Sequence, residues 1–222
     1  PYTPRKHQAY LHKQIDKHRW NVLVCHRRFG KTVCMINHLI RSALLSKLKN
    51  PRFAYIAPTF KQAKSIAWDY MKQFTAKIPH TKFNETELRV DLPNGARITL
   101  LGSESPDGLR GIYLDGCVID EYANVNSKLF PEIIRPALSD RKGYCVFIGT
   151  PMGMNNNFYE LYQHAQGAED WFNYKAKASD TKIVDNDELV KAKEVMGEKK
   201  YMQEFECDWI ANIEGAVYGD VI

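Results

Sequence analysis

A tight loop between an apolar run and a helical segment constrains this chain more than any other stretch. Residues 25–32 read Cys-His-Arg-Arg-Phe-Gly-Lys-Thr, after the run Val22-Leu23-Val24 and before helical periodicity from Val33 to about Leu45. Strand, loop ending Gly-Lys-Thr, then helix is the order a phosphate-binding loop requires. Backbone N–H groups and the helix N-terminus face an anion there, and the helix dipole favours negative charge. Lys31 can reach the outer phosphates of a nucleotide, and the Thr32 hydroxyl can hold Mg²⁺. Cys25, His26, Arg27, Arg28, Phe29, Gly30, Lys31 and Thr32 are thus the candidate nucleotide contacts. Cys25 departs from the pattern, whose first position is usually glycine.

The rest of the chain supplies what such a loop needs. A helix is expected from about Arg5 to Lys17, and Gln8 on it can read an adenine edge, because its amide both donates and accepts. Apolar strands are expected at 22–24, 53–57, 117–119 and 144–148, separated by helical patterns. One helix is expected to present Val33, Ile36, Ile40 and Leu44. Another, opened by Pro58-Thr59, is expected to present Ile66, Ala67, Tyr70 and Phe74. Residues 88–92 and 96–100 make a β-hairpin around Pro93-Asn94-Gly95. Helices are expected over 127–137 and 158–166 and a strand over 171–177. Charged helical sequence covers 187–209, divided at Gly197. Strands alternating with helices predict an α/β fold with a mostly parallel sheet and ligands at the carboxyl ends of its strands. The loop at 25–32, Asp120-Glu121 and Thr150-Pro151 all follow strands, so they should meet at one rim.

Phosphoryl transfer depends on positioning and charge neutralisation. Asp120 is placed to hold Mg²⁺ or its water. Glu121 is placed to polarise the attacking water, the task of a general base. Arg27 and Arg28 bring guanidinium groups into the loop itself, and Arg27 is the preferred catalytic one. Thr150 can contact the γ-phosphate or the water. Arg110, in the glycine-rich stretch 102–111, is a finger reaching a neighbouring subunit, a loop arginine on DNA phosphates, or a solvated side chain.

Composition excludes several other classes. No apolar run approaches the ~20 residues of a membrane span, and the polar, basic N-terminal stretch is no signal peptide. Five cysteines, an odd number without Cys-x-x-Cys, indicate reduced thiols, not a disulfide framework or zinc site. The seven histidines show no metal-ligand spacing. A net charge of +5 is compatible with a polyanionic partner without requiring one.

Taken together, these motifs resemble the ATPase domain of the large terminase subunit of tailed bacteriophages, the motor that packages DNA. The matching pieces are Gln8, the Arg27–Thr32 loop, Tyr55-Ile56-Ala57-Pro58-Thr59 with Gln62-Ala63, Leu109-Arg110-Gly111, Val118-Ile119-Asp120-Glu121, Gly149-Thr150-Pro151 and Gln203-Glu204-Phe205. The resemblance implies a RecA-like P-loop NTPase of the additional-strand, catalytic-glutamate type. It implies an ATPase core over 1–178, a helical lid or linker over 179–214, and over 215–222 the start of a linker to a nuclease domain outside these residues. It assigns Lys31, Arg27, Arg110, Thr150 and Glu121 to catalysis, with Arg27 coupling ATP binding to lid motion or to catalysis and Arg110 acting in cis or, as in some terminases, in trans within a ring. Thr32 and Asp120 would bind Mg²⁺. ATP, double-stranded DNA, the portal and procapsid, the small terminase subunit and further copies of the chain are the implied partners, in the cytoplasm of an infected bacterium. A helicase-type translocase and a DNA-binding or assembly module with a vestigial nucleotide site are the competing readings.

Overall fold

The computed structural model describes residues 2–210. In chain order they form α1 (Lys6–Ile15), β1 (Trp20–Cys25), α2 (Lys31–Leu45), β2 (Arg52–Ala57), α3 (Phe60–Ala63), a π-helical segment (Lys64–Trp68) and α4 (Asp69–Thr75). Next come β3 (Lys82–Asn84), β4 (Arg89–Asp91), β5 (Arg97–Gly102), β6 (Gly116–Asp120), a second π-helical segment (Phe130–Ile134) and α5 (Arg135–Ala137). The chain continues through β7 (Tyr144–Gly149), α6 (Asn157–His164), β8 (Trp171–Ala176), α7 (Ala178–Thr181), α8 (Asn186–Met196) and α9 (Glu198–Glu204).

The strands make one sheet in the order β3-β4-β5-β2-β6-β7-β1-β8. All pairings are parallel except those of β4 with β3 and β5. Because β7 lies between β1 and β6, Asp120 pairs with Ile148 and Val24 with Gly149, so the three polar strand ends sit side by side. The expected α/β architecture, with an additional strand between the loop strand and the acidic strand, is the one observed.

Every residue of β1 is buried, as a central parallel strand requires. Its side chains alternate between two cores. Leu23 and Cys25 join α1, α2 and α4 on one face; Val22 and Val24 join Phe130, Phe147, Phe158 and Trp209 on the other. A small third cluster of Ala178, Leu189 and Phe205 belongs to the C-terminal helices.

Several local expectations are corrected. Helix α2 buries Cys34, Met35, Ile36, His38, Leu39, Ile40 and Ala43, while Leu44 is exposed. Its buried arc is wide because α1 covers it as well: His12 stacks on His38 at 5.2 Å between ring centroids. In α3–α4, Thr59 and not Pro58 begins the helix, its hydroxyl accepting from the Gln62 N–H at 3.1 Å. The π-helical segment then adds a residue and rotates α4 about its axis. Ala67, Trp68, Met71 and Thr75 face inward, and Ile66 and Tyr70 are exposed. The hairpin forms with Asp91 opposite Arg97, and β3 joins it as an edge strand that alternation did not announce. The helical stretch expected from 127 begins at Phe130. Gly197 separates α8 from α9 with φ 79°, as expected, but α9 ends at Glu204 and not at Trp209. The last four residues of the expected lid, 211–214, and the expected linker over 215–222 lie outside the described residues.

Candidate nucleotide site

The loop after β1 is bent by two residues in left-handed conformation, Arg28 (φ 70°) and Gly30 (φ 87°). Glycine fills that region without strain, and Gly30 caps α2. The two arginines are exposed while Cys25, His26 and Phe29 are buried. Phe29 enters the core, and the His26 ring bonds the Arg27 carbonyl (2.6 Å) and the Thr181 hydroxyl (2.7 Å). These three side chains therefore hold the loop from inside, and any contact they make with a nucleotide runs through their backbone. Burial also lowers the His26 pKa, so its ring stays neutral near neutral pH. The Lys31 ammonium folds over the loop, donating to the carbonyls of Cys25 (3.3 Å) and His26 (3.2 Å).

Gln8 reaches the loop from α1. Its amide oxygen accepts from the Arg5 N–H (3.0 Å) and its amide nitrogen donates to the Gly30 carbonyl (3.3 Å). The bond to Gly30 uses one of the two N–H donors of that amide.

The acidic pair ends β6. Asp120 is buried, and its Oδ1 accepts from the Glu121 N–H at 2.8 Å. Glu121 is half-buried in left-handed conformation (φ 47°), strain that such sites store. Burial first, and the Asp120 charge second, raise the Glu121 pKa; Lys31 and Asn124 oppose this and Glu204 adds to it. A carboxylate tuned upward is better suited to accept a proton near neutral pH.

A cavity of about 400 Å³ is lined by Arg27, Lys31, Glu121 and Thr150, and on its far side by Lys200, Gln203 and Glu204 of α9. A second, of about 890 Å³, opens between Arg5, Arg28, Gly30, Tyr70 and the C-terminal residues Ile183, Val184 and Met196. Arg27 borders both. The first is polar and suits a phosphate chain. The second sets apolar walls of Tyr70, Ile183, Val184, Met196 and Phe205 beside the charged Arg5, Arg28, Asp185 and Glu188, a mixture that suits a base and ribose.

Sequence reasoning anticipates the meeting of Arg27, Lys31, Glu121 and Thr150. Arg110 is not among them: it lines a separate cavity with Gly111, Ile112 and Tyr113, 3.7 Å from the Glu132 carboxylate. Named in the sequence only as motif pieces, with no role at the site, are Tyr55, whose hydroxyl donates to Asp120 Oδ2, and Gln203 and Glu204, which with the unanticipated Lys200 wall the chamber from α9. In the sequence Gln203 is only the edge of a motif; in the fold its amide donates to the Pro151 carbonyl at 2.7 Å.

A family model describing the N-terminal part of the terminase large subunit, T4-like-virus type, matches residues 24–218. The chain belongs to the terminase large-subunit family. The terminase large subunit of Thermus phage G20c is 27% identical over 180 residues, covering 72% of this chain and 36% of that protein. The chain thus spans little more than a third of the curated terminases it matches. The large terminase ATPase domain of Thermus phage P74-26 superposes with a TM-score of 0.79 at 21% identity, over 94% of this chain and 95% of that one. The large terminase of another thermophilic bacteriophage, in complex with ADP, superposes with a TM-score of 0.80 at 16% identity, over 92% of this chain and 53% of that one. At these identities the superpositions establish the fold, the P-loop NTPase fold of terminases.

Proposed function

We propose that this chain binds ATP with Mg²⁺, hydrolyses it to ADP and phosphate, and thereby drives double-stranded DNA into a viral procapsid. The observation that carries this reading is the convergence of Arg27, Lys31, Glu121 and Thr150 on one chamber beside the phosphate loop. Membership of the terminase family supplies the link from hydrolysis to packaging.

In this reading residues 1–178 are the ATPase core and 179–214 a lid or linker, supported by the separate apolar cluster of Ala178, Leu189 and Phe205. The N–H groups at the loop's end and the first turn of α2 (Gly30, Lys31, Thr32) and the Lys31 ammonium bind the phosphates, since those of His26, Arg27 and Phe29 already donate to carbonyls. Glu121 accepts the proton of the attacking water, and Arg27 stabilises charge that grows on the transferring phosphoryl group. Thr150 orients the γ-phosphate or the water. Arg5 and Tyr70 border the base side, and Gln8 stands behind Gly30. Thr32 and Asp120 would hold Mg²⁺: one hydroxyl and one carboxylate are hard oxygen donors that suit it alongside phosphate oxygens and water. The bound ion neutralises phosphate charge. Arg110 points to assembly, since a finger remote from its own chamber can serve a neighbour's in a ring. The portal, the small terminase subunit and the cytoplasm of an infected bacterium complete the proposal. Nuclease activity is not assigned to these residues.

Phosphate release by the purified chain, with and without double-stranded DNA, tests the reading. Magnesium-dependent release abolished by Lys31→Ala is expected. Release unaffected by Lys31→Ala would reject it, and strand separation by the chain would favour a helicase instead.

A further inference from the structure

Tyr55 lies in the middle of β2, 1% exposed, with its ring in the core beneath α2. Phenylalanine would fill that space equally well, so packing does not explain the hydroxyl. A buried phenol needs a partner, and this one donates to Asp120 Oδ2 across from the neighbouring strand β6. The bond is charge-assisted, the strong class of hydrogen bond. The other carboxylate oxygen, Oδ1, accepts from the Glu121 N–H at 2.8 Å. Each oxygen of Asp120 thus has a protein donor, which fixes the plane of the carboxylate and leaves further lone pairs open. The phenol therefore holds, from the neighbouring strand, the carboxylate of the two residues suited to hold Mg²⁺.

We infer that Tyr55 is a positioning residue of the metal site: its hydroxyl orients the Asp120 carboxylate and, through the Asp120–Glu121 bond, the left-handed turn that aims Glu121. This rests on the Mg²⁺–nucleotide reading above. Residues that orient ligands from behind commonly govern metal affinity by 10- to 100-fold.

The test is the binding of a fluorescent ATP analogue, mant-ATP, to the purified chain, titrated with Mg²⁺ and repeated in EDTA. Tyr55→Phe is expected to raise the Mg²⁺ concentration for half-maximal binding by about tenfold or more. Affinity in EDTA should stay within about twofold, since the phosphate loop is untouched. A merely structural role would move both readouts together, and an unchanged Mg²⁺ dependence would overturn the inference. Should Tyr55→Phe fail to fold, the cause is the buried carboxylate left without its donor. Tyr55→Phe with Asp120→Asn removes that charge, and is compared with Asp120→Asn alone. No further change in Mg²⁺ dependence is expected; a further loss would overturn the inference. Wild-type binding indifferent to Mg²⁺ would instead refute the metal reading itself, and this inference with it.

Discussion

The Arg27 N–H, in the phosphate loop, donates to the carbonyl of Glu204, the last residue of α9, at 2.7 Å. Terminal helix carbonyls lack intrahelical donors, so a tertiary partner here both satisfies α9 and stops it. The next carbonyl, that of Phe205, accepts from the Ala178 N–H at 2.8 Å. His26 reaches Thr181 in α7, and Gln203 reaches Pro151 beyond β7. The C-terminal helices are thereby hydrogen-bonded to both sides of the chamber they cover.

Gln203→Ala tests the strength of this attachment. Gln203 is 3% exposed, and its loss leaves the buried Pro151 carbonyl without that donor. A destabilisation of about 1–3 kcal/mol is expected in urea unfolding. A change below about 0.5 kcal/mol would show that the bond contributes nothing net.

Glu121→Gln should retain nucleotide binding and lose turnover by at least about 10²-fold. It also carries a sign in stability. The Glu121 pKa is raised in the fold, so between the unfolded and folded values the native state binds more protons, and stability falls as pH rises through that window. The glutamine variant should therefore gain melting temperature over the wild type above that window, and lose the advantage below the ordinary glutamate range. A constant difference at all pH values would contradict the raised pKa.

Gly30→Ala places a methyl group 3.0 Å from the Gln8 amide nitrogen on a backbone at φ 87°. Left-handed alanine costs about 1–2 kcal/mol. Weaker nucleotide binding and a matching loss of stability are expected. Adding Gln8→Ala should recover the steric part alone, which a double-mutant cycle on unfolding free energies measures.

Arg110→Ala should leave stability within about 0.5 kcal/mol, since the side chain is 57% exposed and its 3.7 Å pair with Glu132 is at the surface. Turnover should fall. Mixed under assembling conditions with Glu121→Gln subunits, it should recover partly if the finger serves a neighbour's chamber. Near-normal turnover of Arg110→Ala alone, with no rescue on mixing, would remove Arg110 from the mechanism.

Elements whose signal is local were legible. The loop at 25–32, the apolar strands and the Pro93-Asn94-Gly95 turn depend on neighbours in sequence. The faces of α2 and α4 were legible only in part: Ile36, Ile40 and Ala67 are buried as expected, Leu44, Ile66 and Tyr70 are not. A helix covered by both the sheet and α1 buries more than one stripe, and a π-helical segment breaks the 3.6-residue period on which the inner face of α4 was projected. The edge strand β3 has too few residues for alternation to register.

By itself the sequence determined a phosphate loop, an acidic strand end and a third strand end, because each is a short motif whose chemistry follows from spacing. Only the tertiary structure decided which side chains of that loop face outward, since burial sends His26 and Phe29 in and Arg27 out. It alone brought Tyr55 to Asp120 and α9 to the loop, and set Arg110 apart. Those contacts join residues 65 and 177 positions apart in the chain (120 − 55 and 204 − 27), where no periodicity carries information and only strand order and helix docking define proximity.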